Sequence, residues 1–165
     1  MHPLRLSRLA LTAAVALFFI LVVFGNVTDY PTNLAFVQHV LAMDTTFQSP
    51  GTMWRAITSP TLQYLAYDLI IAWEAATAVM LCYGTLRLWR ARAAPPAAWN
   101  AARGPAIIGL AAGMALYGAG FLVIAGEWFA MWQSQKWNGR SSATTFVIFI
   151  GIALLHLSTD EARVE

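Results

Sequence analysis

Residues 62–86 read LQYLAYDLIIAWEAATAVMLCYGTL, an apolar run interrupted by the acidic residues Asp68 and Glu74. A helix rises about 1.5 Å per residue, so a run of this length crosses the roughly 30 Å hydrocarbon core of a bilayer. No turn signal divides the run, and its charged residues are few. The stretch therefore predicts a membrane-spanning helix that carries ionisable groups inside the bilayer.

Three further apolar runs have similar character, at about 9–25, 105–129 and 143–157. Hydrophobic residues make up 59% of the 165-residue chain and charged residues 11%, whereas soluble domains have about 25% charged residues. No small-x-small cleavage pattern follows the first run, so we expect an uncleaved signal anchor. The sequence predicts an all-α membrane protein, a four-helix transmembrane bundle that forms a single domain over residues 1–165.

The segments between the spans differ in character. Residues 26–61 and 130–142 form two loops on one side, and residues 87–104 form a loop on the other. Apolar residues recur at helical spacing in the first of these loops, which predicts a short amphipathic helix at about 32–43. The 90–103 stretch has AAPPAA at its centre and predicts a semi-flexible connection.

Orientation follows from the basic residues beside the spans. One side carries Arg5, Arg8, Arg87, Arg90, Arg92, Arg103 and Arg163, and the other carries Arg55, Lys136 and Arg140. The positive-inside rule places the first side in the cytoplasm, with both termini and loop 87–104. Loops 26–61 and 130–142 are then the outer loops. The net charge of +2 follows from this arrangement, and we predict no nucleic-acid binding.

Glu74 and Asp68 are the intramembrane candidates for function. An ionisable group at that depth costs several kcal/mol (about 2.5–3.5) unless it faces protein or water. Two interpretations stay open for Glu74: handling of a proton, cation or polar ligand, or a hydrogen-bonded carboxyl that joins helices. Asp68 lies nearer the outer surface, and both carboxyls could line a wet cleft.

The outer loops supply a second set of candidates. Both are too apolar for ordinary solvated loops, so we expect residues 26–60 and 130–142 to pack on each other as one layer, called the lid below. The lid candidates are Asp29, His39, Asp44, Glu127, Trp128, Trp132, Gln133 and Trp137. The alternative is that each segment lies separately in the headgroup layer. No HxxxH, ExxH or CxxC pair is present, so no metal site is predicted and no cofactor is identified.

Three segments carry a family likeness: FGNVTDY at residues 24–30, FVQHVLAMDTTF at 36–47, and GEWF through WQS to WNG at 126–139. With these motifs the chain resembles a bacterial family of predicted small integral membrane proteins of unknown function. The resemblance implies four transmembrane helices and a setting in the bacterial inner membrane. It implies no catalytic residue.

Three classes of function remain open. The first is an accessory or scaffolding subunit that binds other membrane proteins or itself, with membrane lipid around it. The second is a small ion- or proton-handling transporter that uses Asp68 and Glu74. The third, less favoured, is an enzyme acting on a lipid or quinone at the outer leaflet, with Asp29, His39, Asp44 and Glu127 as acid–base candidates.

Overall fold

The computed structural model describes residues 3–159, and within that range the chain is helical with no strand. The α-helices are α1 Pro3–Thr28, α2 Tyr30–Ala42, α3 Pro60–Ala91, α4 Pro96–Ala102, α5 Gly104–Met114 and α6 Arg140–Ser158. After α5 the chain continues as a π-helix over Ala115–Trp128, and 3₁₀ turns occur at Met53–Arg55 and Met131–Gln133. The predicted all-α fold is confirmed. The charged tail with Arg163 lies outside the described residues.

Four helical stretches are long and apolar enough to cross a membrane: Pro3–Thr28, Pro60–Ala91, Pro96–Trp128 and Arg140–Ser158. The helices extend beyond the predicted spans because hydropathy marks the hydrocarbon layer, whereas helical structure continues into the polar interface. The short helix predicted in the first outer loop is α2, which follows α1 after the single residue Asp29.

The connection between α3 and α5 differs from the semi-flexible segment predicted at 90–103, because most of it is helical. Only residues 92–95 and 103 lie outside helices in this segment, because α3 continues to Ala91 and α4 spans Pro96–Ala102. Proline suits the first turn of a helix, where no backbone N–H is needed. Trp99 is fully buried and lies 5.0 Å below the Arg5 guanidinium. Tertiary packing therefore orders a segment that its composition alone makes flexible.

Small residues bring α3 and α5 into close contact. A Cβ on Gly84 would lie 2.6 Å from the Ala106 backbone nitrogen, and one on Gly109 would lie 2.8 Å from the Leu81 side chain. The small-residue character of the third span thus serves backbone approach, as it does in other membrane bundles. Fully buried core side chains fill the remaining space, among them Phe19, Leu81, Leu110 and Ile150.

Three buried arginines bind helix ends opposite the lid. Arg8 Nη2 and Arg103 Nη1 donate to the Thr159 carbonyl oxygen at 2.8 and 2.6 Å, just after α6. Arg5 Nη1 donates to the Arg92 carbonyl at 3.2 Å, at the C-cap of α3. Carbonyls at a helix C-terminus lack intrahelical partners and carry partial negative charge. These arginines therefore stabilise the bundle besides contributing to its charge asymmetry.

Candidate functional site

The two lid segments are joined by hydrogen bonds. Thr45 Oγ1 donates to Ser134 Oγ at 2.8 Å, and the Phe47 backbone N–H donates to Gln133 Oε1 at 2.9 Å. Both bonds connect residues far apart in sequence. The lid is one packed layer in the structure, and its role as the functional surface remains a prediction.

Aromatic stacking adds to this packing. The imidazole of His39 stacks on Trp137 with ring centroids 4.4 Å apart, and Phe36 meets the same indole at 6.3 Å. A buried apolar cluster beneath them includes Val40, Met43, Phe129, Ala130 and Met131. The lid is thereby fixed to the end of the bundle.

The polar lid candidates have separate partners. His39 Nδ1 lies 2.7 Å from Asp44 Oδ2, and Arg140 Nη1 donates to Glu127 Oε1 at 2.9 Å. Asp29 is exposed at the junction of α1 and α2. Between residues 3 and 159 no group of three His, Cys, Asp or Glu side chains is placed to hold a metal ion. His39 and Asp44 thus form one pair, whereas Glu127 is paired with Arg140.

Two aromatic pairs remain at the lid surface. Phe47 and Trp132 meet edge to face with centroids 5.7 Å apart, and they are 68% and 44% exposed. Trp54 and Trp128 form a second edge-to-face pair at 5.6 Å. Trp128 and Trp132 are among the predicted lid candidates, whereas their partners Trp54 and Phe47 are not.

Arg55 lies over the second pair. Its guanidinium carbon is 4.8 Å from the Trp128 ring centroid and 5.6 Å from that of Trp54. From the sequence, Arg55 was identified only as a basic residue on the outer side of the membrane. The adjacent Trp54 was the one available signal of a cation–π contact.

Glu74 is enclosed by the bundle and is only 2% exposed. Its Oε2 accepts a hydrogen bond from Asn26 Nδ2 at 2.7 Å, and its Oε1 accepts one from the Tyr117 hydroxyl at 3.3 Å. The Tyr67 hydroxyl extends this network by donating to the Asn26 carbonyl at 3.2 Å. One carboxyl thus connects α1, α3 and the π-helix.

Asp68 occupies a different environment. It is exposed, and its Oδ1 accepts a hydrogen bond from the Tyr30 hydroxyl at 2.7 Å. This hydrogen bond, with a smaller contribution from burial, raises the pKa of Tyr30 to about 12. Six residues correspond to about one and two-thirds helical turns. Asp68 and Glu74 consequently point in different directions and do not line a shared cleft.

An apolar cavity of about 200 Å³ lies between α2, α3 and the π-helix. Its walls include Val37, Ile70, Gly120 and Phe121. The cavity has the lining of a site for an apolar chain. The cavity could not be predicted from the sequence, because its walls come from three segments that are far apart in the chain.

Comparison with known protein families gives a match over most of the chain. A family model described as "Predicted small integral membrane protein (DUF2165)" matches residues 4–160. No curated protein and no solved structure matches the chain significantly. The matched range contains the lid and nearly all of the four candidate membrane helices, and it confirms the resemblance drawn from the lid motifs.

Proposed function

Because the chain belongs to this family of predicted small integral membrane proteins, we propose that it acts within the membrane as an accessory or scaffolding subunit. In this proposal the lid binds another integral membrane protein. The observation that carries the proposal is the exposed Phe47–Trp132 pair, which hydrogen bonds between the two lid segments hold at the lid surface. Exposed apolar groups on a rigid surface are typical of binding sites.

The pair is held in place before any partner binds. Gln133 accepts a hydrogen bond from the Phe47 backbone N–H at 2.9 Å, and the Thr45–Ser134 bond lies beside it. A preorganised aromatic edge loses little conformational entropy on association. Tryptophan is also enriched among residues that dominate binding energy.

The two other classes have less support. Ion handling requires a carboxyl that exchanges ligands, whereas both Glu74 oxygens are bonded to side chains of the same bundle. An enzyme requires convergent acid–base groups, whereas His39 and Glu127 have separate partners. The apolar cavity supports binding of a lipid or quinone chain but supplies no reacting group.

The proposal is tested by purification from native membranes in mild detergent. We expect one membrane protein to co-purify in fixed stoichiometry, and we expect Phe47→Ala with Trp132→Ala to reduce its recovery about tenfold, the effect of losing a hot spot. Phe24→Ala is the matched control, because Phe24 is an exposed aromatic on α1. Equal loss with Phe24→Ala, or recovery of only a homo-oligomer or a bound lipid or quinone, would contradict the partner assignment.

We also propose that the protein lies in the bacterial inner membrane with both termini in the cytoplasm and the lid outside. The charge asymmetry supports this orientation. A reporter that is active only outside the cytoplasm should be active when fused after residue 50 in the lid and inactive when fused at the C terminus. Activity at both positions would reject the four-span topology, and the reverse pattern would invert it.

A further inference from the structure

We propose that the groove beside Arg55 binds an anionic phospholipid, with the phosphate at the Arg55 guanidinium and an acyl chain along the exposed side of the π-helix. The groove is lined by Arg55, Val123, Ile124, Glu127, Trp128 and Phe129. The juxtaposition of a cation, two indoles and an apolar floor carries the proposal. It is independent of the Phe47–Trp132 edge.

The guanidinium has unused donors. Its described hydrogen bond is a long one, from Nη1 to the Trp128 carbonyl at 3.4 Å. Nε is buried, so the Nη groups are the donors that remain for an anion. No carboxylate within residues 3–159 forms a salt bridge with Arg55. A guanidinium offers five N–H donors in a planar fork that matches a phosphate. The guanidinium of Arg55 lies over the indole rings of Trp54 and Trp128 through cation–π contacts, which leaves its N–H groups for an anion.

The floor of the groove suits an acyl chain. Val123 and Ile124 are exposed on the candidate span Pro96–Trp128, so their side chains lie where lipid surrounds the protein. The groove continues from these residues to Arg55. The apolar residues would contact an acyl chain and the arginine would contact the phosphate, in the order in which these groups occur in a phospholipid. Trp128, at the end of the span, occupies the position of an interfacial anchor.

The charge of the groove favours a lipid with net negative charge. Glu127 lines the groove, but Arg140 Nη1 pairs with its carboxylate at 2.9 Å. The guanidinium groups of Arg55 and Arg140 and the carboxylate of Glu127 together carry one net positive charge. Neutralising Glu127 should therefore strengthen anion binding, whereas neutralising Arg55 should weaken it.

The test uses the full chain in mild detergent, titrated with phosphatidylglycerol or with phosphatidylcholine of the same acyl chains and measured by native mass spectrometry. We expect phosphatidylglycerol to bind about fivefold more tightly, because both lipids offer a phosphate to Arg55 but the choline group of phosphatidylcholine adds a positive charge that this net positive site repels. Arg55→Gln should remove this preference, and Arg55→Lys should retain part of it because the charge remains. Glu127→Gln should raise the affinity for phosphatidylglycerol several-fold.

Lys136→Gln is the matched control, because Lys136 is a lid cation that lies 5.0 Å from the Trp137 ring centroid and does not line the groove. It should leave the preference unchanged. Equal binding of the two lipids, equal losses for Lys136→Gln and Arg55→Gln, or weaker binding after Glu127→Gln would overturn the site. Displacement of phosphatidylglycerol by inorganic phosphate at equal concentration would overturn the lipid assignment in favour of a free anion.

Discussion

Gly84→Ala is expected to destabilise the bundle by about 3 kcal/mol, at the upper end of the usual cost of overpacking. The added Cβ would lie 2.6 Å from the Ala106 nitrogen and 2.7 Å from the Ala106 Cα. Backbone atoms cannot rotate away, so α3 and α5 must separate. With about 2–4 °C lost per kcal/mol in a chain of this size, the apparent Tm should fall by about 6–12 °C. Thermal unfolding of the purified protein in detergent measures this shift.

Gly25→Ala is the control for this prediction, because a Cβ on Gly25 meets no atom within 4 Å. Alanine is favoured over glycine in a helix by about 1 kcal/mol, so this variant should be as stable as the parent or slightly more stable. If Gly84→Ala and Gly25→Ala unfold at the same temperature, α3 and α5 do not approach as closely as described.

Glu74→Ala is expected to cost about 2–4 kcal/mol, because removal of the carboxyl leaves the Asn26 amide and the Tyr117 hydroxyl without their partner. An unsatisfied buried polar group costs about 1–3 kcal/mol, and no bulk water reaches the bilayer core to replace the lost bonds. Glu74→Gln keeps the shape and one carbonyl oxygen, so its cost should be about 1 kcal/mol or less. Thermal unfolding of the three proteins in one detergent compares them directly.

The same two variants separate a structural carboxyl from an ion-handling one. If Glu74 joins helices, Glu74→Gln should fold and retain the membrane partner. Loss of the partner or of cellular function by Glu74→Gln, with an unchanged Tm, would reject the structural role and favour ion handling. An unchanged Tm for Glu74→Ala would show that the Asn26 and Tyr117 contacts contribute nothing to stability.

The four spans and α2 could be predicted because their signals are local. Hydropathy over residues 62–86 and the spacing of apolar residues at 32–43 depend on neighbours in the sequence. The depth of Glu74 similarly indicated that protein must surround it. Its partners could not be identified, because Asn26 and Tyr117 lie 48 and 43 residues away and many polar side chains satisfy the same requirement.

The contacts of the arginines could not be predicted from the sequence either. Orientation statistics account for their side of the membrane, but they do not distinguish a solvated arginine from one that caps a helix end, as Arg8 and Arg103 cap α6. Arg55 is a similar case, because its cation–π contact with Trp128 depends on how the lid folds onto the bundle. Tertiary packing determines both contacts.

The central claim is that the lid surface formed by Phe47 and Trp132 binds another membrane protein. Photo-crosslinking in intact cells tests this claim most directly. A photoreactive phenylalanine analogue placed at Phe47 or at Trp132 should give the same discrete protein adduct. The analogue at Val79 or Leu155, which are 71% and 74% exposed on membrane-spanning helices, should give no such adduct. If Phe47 and Trp132 form adducts only with lipid, or if Val79 and Leu155 yield the same protein adduct, the claim is wrong.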